Sequence, residues 1–81
     1  MFSLGNRGKF LDNIRLAPVL THLYANGVIT AKQLQRIESE RTGIDRAEHV
    51  WNLMTTKQRY LDGVRDALKG TGQKQLADIL E

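Results

Sequence analysis

A length of 81 residues allows one small domain spanning residues 1–81, and a hydrophobic fraction of 41% predicts a folded core and argues against disorder. The sequence has no cysteine, which excludes disulfides, thiolate nucleophiles and thiolate metal sites. Its net charge of +3 is spread along the chain, which favours a protein partner over nucleic acid because nucleic-acid-binding domains concentrate positive charge on one face.

The apolar pattern also predicts where the protein resides. Its longest apolar run falls well short of the roughly 18 residues that cross a membrane, so we expect no membrane partner. Residues 1–7 lack the hydrophobic stretch of a signal peptide, so we do not expect secretion. Together with the lack of cysteine, this predicts a cytoplasmic protein.

The first apolar pattern predicts a helix from Leu4 to Arg15. Its apolar members are Leu4, Phe10, Leu11 and Ile14. Gly5 and Gly8 weaken its beginning, because a glycine inside a helix costs about 1 kcal/mol relative to alanine. We therefore expect a frayed or bent first turn.

Pro18 is the only proline and predicts a helix break near Leu16 or Ala17, because proline is tolerated only in the first turn of a helix. A second helix follows and ends at Asn26 and Gly27, where glycine can adopt the left-handed conformation that closes a helix. The apolar residues of this helix are Val19, Leu20, Leu23 and Tyr24.

A third helix is predicted from Ala31 to about Glu40. Thr30 is a good N-cap, and Gln33 stands three residues later, at the position that completes a capping box. The helix is short and polar, and it offers only Leu34 and Ile37 to the core.

Two more capping boxes and one turn predict the last three helices. Asp45 with Glu48 would start the fourth helix, Thr55 with Gln58 would start the fifth, and Thr71-Gly72-Gln73 would open the sixth. Their apolar rows are Ala47, Val50, Trp51, Leu53 and Met54, then Tyr60, Leu61, Val64, Ala67 and Leu68, then Leu76, Ala77, Ile79 and Leu80.

These elements predict an all-α, antiparallel six-helix bundle with a bent first helix, because no single amphipathic helix can bury its apolar stripe alone. Trp51 lies in the apolar row of the fourth helix and is predicted to be a core residue. Tyr24 and Tyr60 are expected at the boundary of the core, with their hydroxyl groups in water.

The sequence offers nothing for catalysis or metal binding. His22 and His49 stand in different helices without cysteine or patterned carboxylates nearby, and no nucleophile, phosphate-loop or zinc motif is present. We therefore expect no catalytic residue, no metal site and no cofactor.

A small DNA-binding domain is an alternative interpretation. Residues 30–54 contain two predicted helices joined by a short turn that contains glycine, which loosely matches a helix-turn-helix. The second helix would place Asp45 and Glu48 at the end that faces DNA. Their carboxylates would repel the phosphates, so the pattern disfavours this alternative.

Three stretches share their order and spacing with one known family. In residues 20–30, a glycine, two aliphatic residues and a threonine follow an apolar helix. Residues 45–54 place an acidic residue, a basic residue and an alanine before an aliphatic row, and residues 67–80 join two helices through Thr71-Gly72-Gln73. Over nearly the whole chain, this arrangement resembles the caspase recruitment domain (CARD) branch of the death-fold superfamily.

The resemblance implies a non-catalytic domain that needs no cofactor and binds another CARD, from a caspase, an adaptor or a second copy, in apoptotic or inflammatory signalling. The family's commonest contact pairs a basic patch on helices one and four with an acidic patch on helices two and three. The basic positions it implies here are Arg7, Lys9, Arg15, Arg41 and Arg46. The acidic positions are Glu38 and Glu40.

The same resemblance leaves the role of the domain open. Helix two offers only Thr21, His22 and Asn26 to an acidic patch, so the chain either self-assembles or serves only as the basic partner of a more acidic CARD. It is expected to be the recruitment module of a longer caspase or scaffold protein, with a decoy that blocks assembly as the alternative.

Overall fold

A computed structural model describes the backbone of residues 4–80 and the side chains of residues 5–80, and within this range it shows six α-helices and no strand. The helices are α1 (Arg7–Asn13), α2 (Leu16–Ala25), α3 (Ala31–Glu38), α4 (Gly43–Met54), α5 (Gln58–Gly70) and α6 (Lys74–Ile79). The predicted all-α six-helix bundle is confirmed. The expectations for residues 1–3 lie outside the described residues.

The first helix begins with an irregular turn, in line with the weakened start that its glycines predict. A single 3₁₀ turn, Leu4–Asn6, leads directly into α1, so the chain changes its helical pitch just before Arg7. The helix ends at Asn13, two residues before the approximate predicted end at Arg15. Ile14 has an extended backbone, and Arg15 is already the N-cap of α2.

The predicted break before Pro18 lies two residues earlier than expected. Helix α2 begins at Leu16, which places Pro18 in its first turn. The N–H groups of a first turn have no partner inside the helix, so proline removes no hydrogen bond there. The helix closes as predicted: Asn26 is the C-cap, and Gly27 has a φ of 71°.

The core is organised around Trp51 of α4, whose predicted burial is confirmed. The ring of Phe10 from α1 meets Trp51 edge to face, with 5.3 Å between the ring centroids. This is a preferred geometry for two aromatic rings. It fixes α1 against α4, while α5 packs against α2, α4 and α6.

The capping box of α3 is confirmed. The Gln33 N–H donates to the Thr30 hydroxyl, and the Thr30 N–H donates to the Gln33 side chain. The helix ends at Glu38, two residues before the predicted end. Ser39 is the C-cap, and its hydroxyl donates a hydrogen bond of 2.7 Å to the carbonyl of Arg36.

The predicted capping box of Asp45 and Glu48 is wrong. Thr42 is the N-cap of α4, and its hydroxyl accepts a hydrogen bond of 3.0 Å from the N–H of Asp45. The helix therefore starts at Gly43, and Asp45 lies within its first turn. The carboxylate of Asp45 still suits the positive end of the helix dipole.

The predicted box of Thr55 and Gln58 is also wrong. Thr55 is the C-cap of α4, and its hydroxyl donates 2.6 Å back to the carbonyl of Asn52. Helix α5 starts at Gln58 after Lys57, which contributes no side-chain cap. The threonine satisfies the end of one helix instead of the beginning of the next.

Candidate partner-binding surfaces

Arg7 begins α1 on the side that packs against α4. Its guanidinium donates to the carboxylate of Glu48 in α4, and the two side chains are 38% and 44% exposed. This contact explains Glu48 better than the predicted capping role does. Part of the positive charge of Arg7 is balanced, but the pair remains accessible to a partner on the α1–α4 face.

Lys9 lies on a different side of α1 from Arg7, and Arg15 is the N-cap of α2. Both line a groove of about 680 Å³ between α1 and α6. Lys74, at the beginning of α6, lines the same groove. We did not predict Lys74 as a site residue, because nothing in the sequence signals that residues 9 and 74 are neighbours. We name this surface the α1–α6 groove.

Arg46 lies beside Glu38, one of the two residues predicted to form the acidic patch. Its Nε donates to the backbone carbonyl of Glu38 over 3.4 Å, and both residues line a groove of about 480 Å³ between α2, α3 and α4. Glu40 contacts the ring Nδ1 of His49 at 2.9 Å. Arg41 is exposed in the connection between α3 and α4.

The predicted basic residues other than Arg41 have different neighbours in the bundle. Arg7 faces α4, Lys9 and Arg15 face α6, and Arg46 lies beside Glu38. The physical reason is that α1 packs between α4 and α6, so successive cations on it point to different neighbours.

Two large apolar side chains are exposed near the groove between α2, α3 and α4. Tyr24 lines it and is 49% exposed, which places this residue further outside the core than the boundary position we predicted. Ile44 is 48% exposed and directly follows Gly43, another lining residue. We did not predict that Ile44 is exposed. The only indication in the sequence is that Ile44 lies outside the apolar row of α4.

Tyr60 connects α5 to α3. The side-chain N–H of Gln33 donates 3.0 Å to the Tyr60 hydroxyl, and the guanidinium of Arg59 lies 4.8 Å from the centre of the ring. The hydrogen bond from Gln33, helped by Arg59, lowers the pKa of Tyr60 from its ordinary value. Arg59 also donates 3.1 Å to the carbonyl of Val28, which holds the α2–α3 connection to α5.

The described residues offer no metal site. No group of three or more His, Cys, Asp or Glu side chains within them is arranged to hold an ion. None of the helices in this part of the chain is both long and apolar enough to cross a bilayer. The surface features that remain are charged faces and open grooves.

A six-helix bundle of this kind has the architecture of the death-fold class, whose caspase recruitment branch consists of protein-interaction modules. The family model for the caspase recruitment domain matches residues 2–81, so the chain belongs to the CARD family. The resemblance in the sequence is thereby confirmed. No curated protein matches the chain. Domains of this family bind other CARD or death-fold domains in apoptotic and inflammatory signalling.

Proposed function

We propose that this domain recruits a second, more acidic CARD through the α1–α4 face centred on Arg7, as the cytoplasmic recruitment module of a longer caspase or scaffold protein. The accessible guanidinium of Arg7, at the junction of α1 and α4, carries this proposal. Family membership supplies the mode of binding. Of the other predicted basic residues, Arg41 and Arg46 stay predicted contributors to this face.

The distribution of negative charge supports a heterotypic partner. Helix α2 contains no acidic residue, and Glu40 contacts the ring of His49. The cation of Arg46 bonds to the backbone carbonyl of Glu38 and lines the same groove as that residue. A second copy would therefore offer the Arg7 face only a weakly acidic counterpart. Charge complementarity steers association and rejects wrong partners, so a more acidic CARD is the better match.

A decoy role is the second candidate, and the same weak acidic face favours it. Assemblies built from two different faces grow only when each added subunit exposes the second face to the next one. A domain with one effective face would join the end of such an assembly and stop its growth. Recruiter and decoy thus share the Arg7 contact and differ in whether the assembly grows after binding.

The test is to mix the purified domain with a panel of CARDs and to measure complex formation by size-exclusion chromatography with light scattering. We expect a complex with an acidic CARD, and Arg7→Glu should weaken it at least about tenfold, because reversal places like charges together. Lys57→Glu, at an exposed position before α5, is the control for net charge. Absence of any complex across the panel, or an intact complex with Arg7→Glu, would refute the proposal.

Two further measurements separate the remaining roles. Adding the domain to a polymerising partner should accelerate or extend assembly for a recruiter, and should shorten the polymers for a decoy. Duplex DNA at low salt tests the helix-turn-helix alternative. Binding that weakens steeply with added salt would favour that alternative, because it reports the release of counterions from phosphates.

A further inference from the structure

The α1–α6 groove concentrates positive charge. Lys9, Arg15 and Lys74 line it, and none of the described residues that line it is acidic. The ammonium of Lys74 lies 3.4 Å from the carboxylate of Asp78, but both side chains are at least half exposed and such a pair is weak. A carboxylate from a partner can therefore compete for Lys74.

The wall of this groove is held in place by a buried side chain. Gln73 is 7% exposed; its amide oxygen accepts 2.8 Å from the backbone N–H of Arg15, and its amide nitrogen donates 3.2 Å to the Arg15 carbonyl. The guanidinium of Arg15 in turn donates 2.9 Å to the carbonyl of Thr71. These bonds join segments 58 residues apart and fix the backbone that carries Arg15. A site organised before binding loses less entropy when a ligand arrives.

The other lining residues indicate the chemistry of the occupant. Leu76 and Ile79 are partly buried and add apolar surface, and the exposed amide of Gln75 can bond to a peptide backbone. The groove is concave and has a volume of about 680 Å³, which suits an extended peptide segment. The Arg7 face suits the surface of a folded domain. Duplex DNA presents a convex rod and no apolar side chains, so it uses this groove poorly.

We propose that the α1–α6 groove binds an extended acidic peptide segment of a partner protein, at a site separate from the CARD-binding face centred on Arg7. Carboxylates of the segment pair with Lys9, Arg15 and Lys74, and an apolar side chain between them packs on Leu76 and Ile79. The two sites lie on different sides of α1, so one domain can hold a CARD and an acidic tail together.

The test uses the whole domain and a fluorescein-labelled peptide of alternating Glu and Leu, with binding measured by fluorescence anisotropy at low salt. A matched peptide of alternating Gln and Leu keeps the apolar side chains without the charge, and should bind at least about tenfold more weakly. Lys74→Glu should weaken the acidic peptide at least about fivefold, and the double variant of Lys9→Glu and Lys74→Glu should weaken it further. Circular dichroism checks that each variant is folded.

Arg7→Glu is the matched control, because it reverses a charge on the same helix outside the groove. It should change peptide affinity less than about twofold, while Lys74→Glu should leave a CARD complex intact. Failure of the CARD panel would leave the peptide result standing, so the two proposals fail separately. Equal affinity for both peptides, equal losses with Arg7→Glu and Lys74→Glu, or tighter binding of duplex DNA would overturn the groove proposal.

Discussion

The guanidinium of Arg7 in α1 and the carboxylate of Glu48 in α4 form an ion pair between residues 41 positions apart. Arg7 therefore has two possible roles, because it links two helices and also offers its charge to a partner. A single charge reversal at Arg7 would disturb both. The two roles can be separated by a variant that restores the ion pair between the helices without restoring the positive charge at position 7.

A charge swap makes that separation. Arg7→Glu and Glu48→Arg should each reduce the free energy of unfolding by no more than about 1 kcal/mol, because both side chains are more than a third exposed. The double variant restores an ion pair and the original net charge, so its urea midpoint should return toward that of the wild type. Binding to the partner CARD should stay weak, since the cation at position 7 is still missing. Recovery of binding in the double variant would mean that the partner needs the ion pair, or a cation anywhere on the α1–α4 face, and not Arg7 itself.

Gln73 should be the most sensitive polar position in the chain. Its buried side chain bonds to both backbone groups of Arg15 and to the hydroxyl of Thr71, and all three bonds are partly buried. Gln73→Ala leaves the Arg15 groups without these partners, so we expect a loss of about 1–3 kcal/mol in urea denaturation. Gln75→Ala, at an exposed position nearby, is the control and should stay within about 0.5 kcal/mol of wild type. Similar small losses of unfolding free energy in both variants would show that the hydrogen bonds of Gln73 contribute little to stability.

The fold was largely predictable because local pattern and long-range packing agree in this chain. The period of the apolar residues was enough to predict the burial of Trp51, and the Thr30–Gln33 capping box marked a true helix start. The two other boxes failed for different reasons: Thr42 caps α4 in place of Asp45, and Thr55 turns its own hydroxyl back to α4. A capping motif therefore marks a helix start only when its first residue is free to cap the helix that follows.

The candidate surfaces were much less predictable, because they depend on which helices become neighbours. The sequence places Arg7 and Lys9 two positions apart, yet one meets Glu48 and the other shares a groove with Lys74. Arg46 was assigned to a basic patch and lies beside Glu38. A single sequence does not show which charged residues will meet when they lie 41 or more positions apart, because charge alone does not say which neighbouring helix a side chain faces.

Tyr60 should ionise below the usual phenol pKa of about 10. Because its folded-state pKa is lowered, the stability gained by ionisation is fully present above the unfolded pKa and is lost as pH falls through the folded pKa. Ultraviolet titration of a Tyr24→Phe background isolates this phenol. Gln33→Leu should raise its pKa, because the main stabilising hydrogen bond is removed. Thr30→Ala is the control, because it weakens the cap of α3 and keeps the Gln33 side chain. An equal change in the pKa of Tyr60 in that variant would mean that the effect comes from the helix and not from Gln33.

Gly63 in α5 is required by close packing against Val28, the residue after Gly27 in the α2–α3 connection. A Cβ added at Gly63 would lie 2.6 Å and 2.9 Å from the two methyl carbons of Val28, so one side must move. Gly63→Ala would ordinarily stabilise a helix by up to about 1 kcal/mol, but here we expect a loss of about 1–3 kcal/mol from overpacking.

Gly8→Ala is the matched control for Gly63→Ala, because a Cβ at Gly8 meets no atom within 4 Å. That substitution should be neutral or stabilising by up to about 1 kcal/mol in the same urea titration. Val28→Ala removes the two methyl groups that clash, so Gly63→Ala should cost less in that background than in the wild type. An unchanged cost would show, through the double-mutant cycle, that the two residues are not coupled. The double-mutant cycle could show coupling while Gly8→Ala gives no gain in stability. Fraying of the first turn of α1, which contains Gly8, would then explain the neutral control.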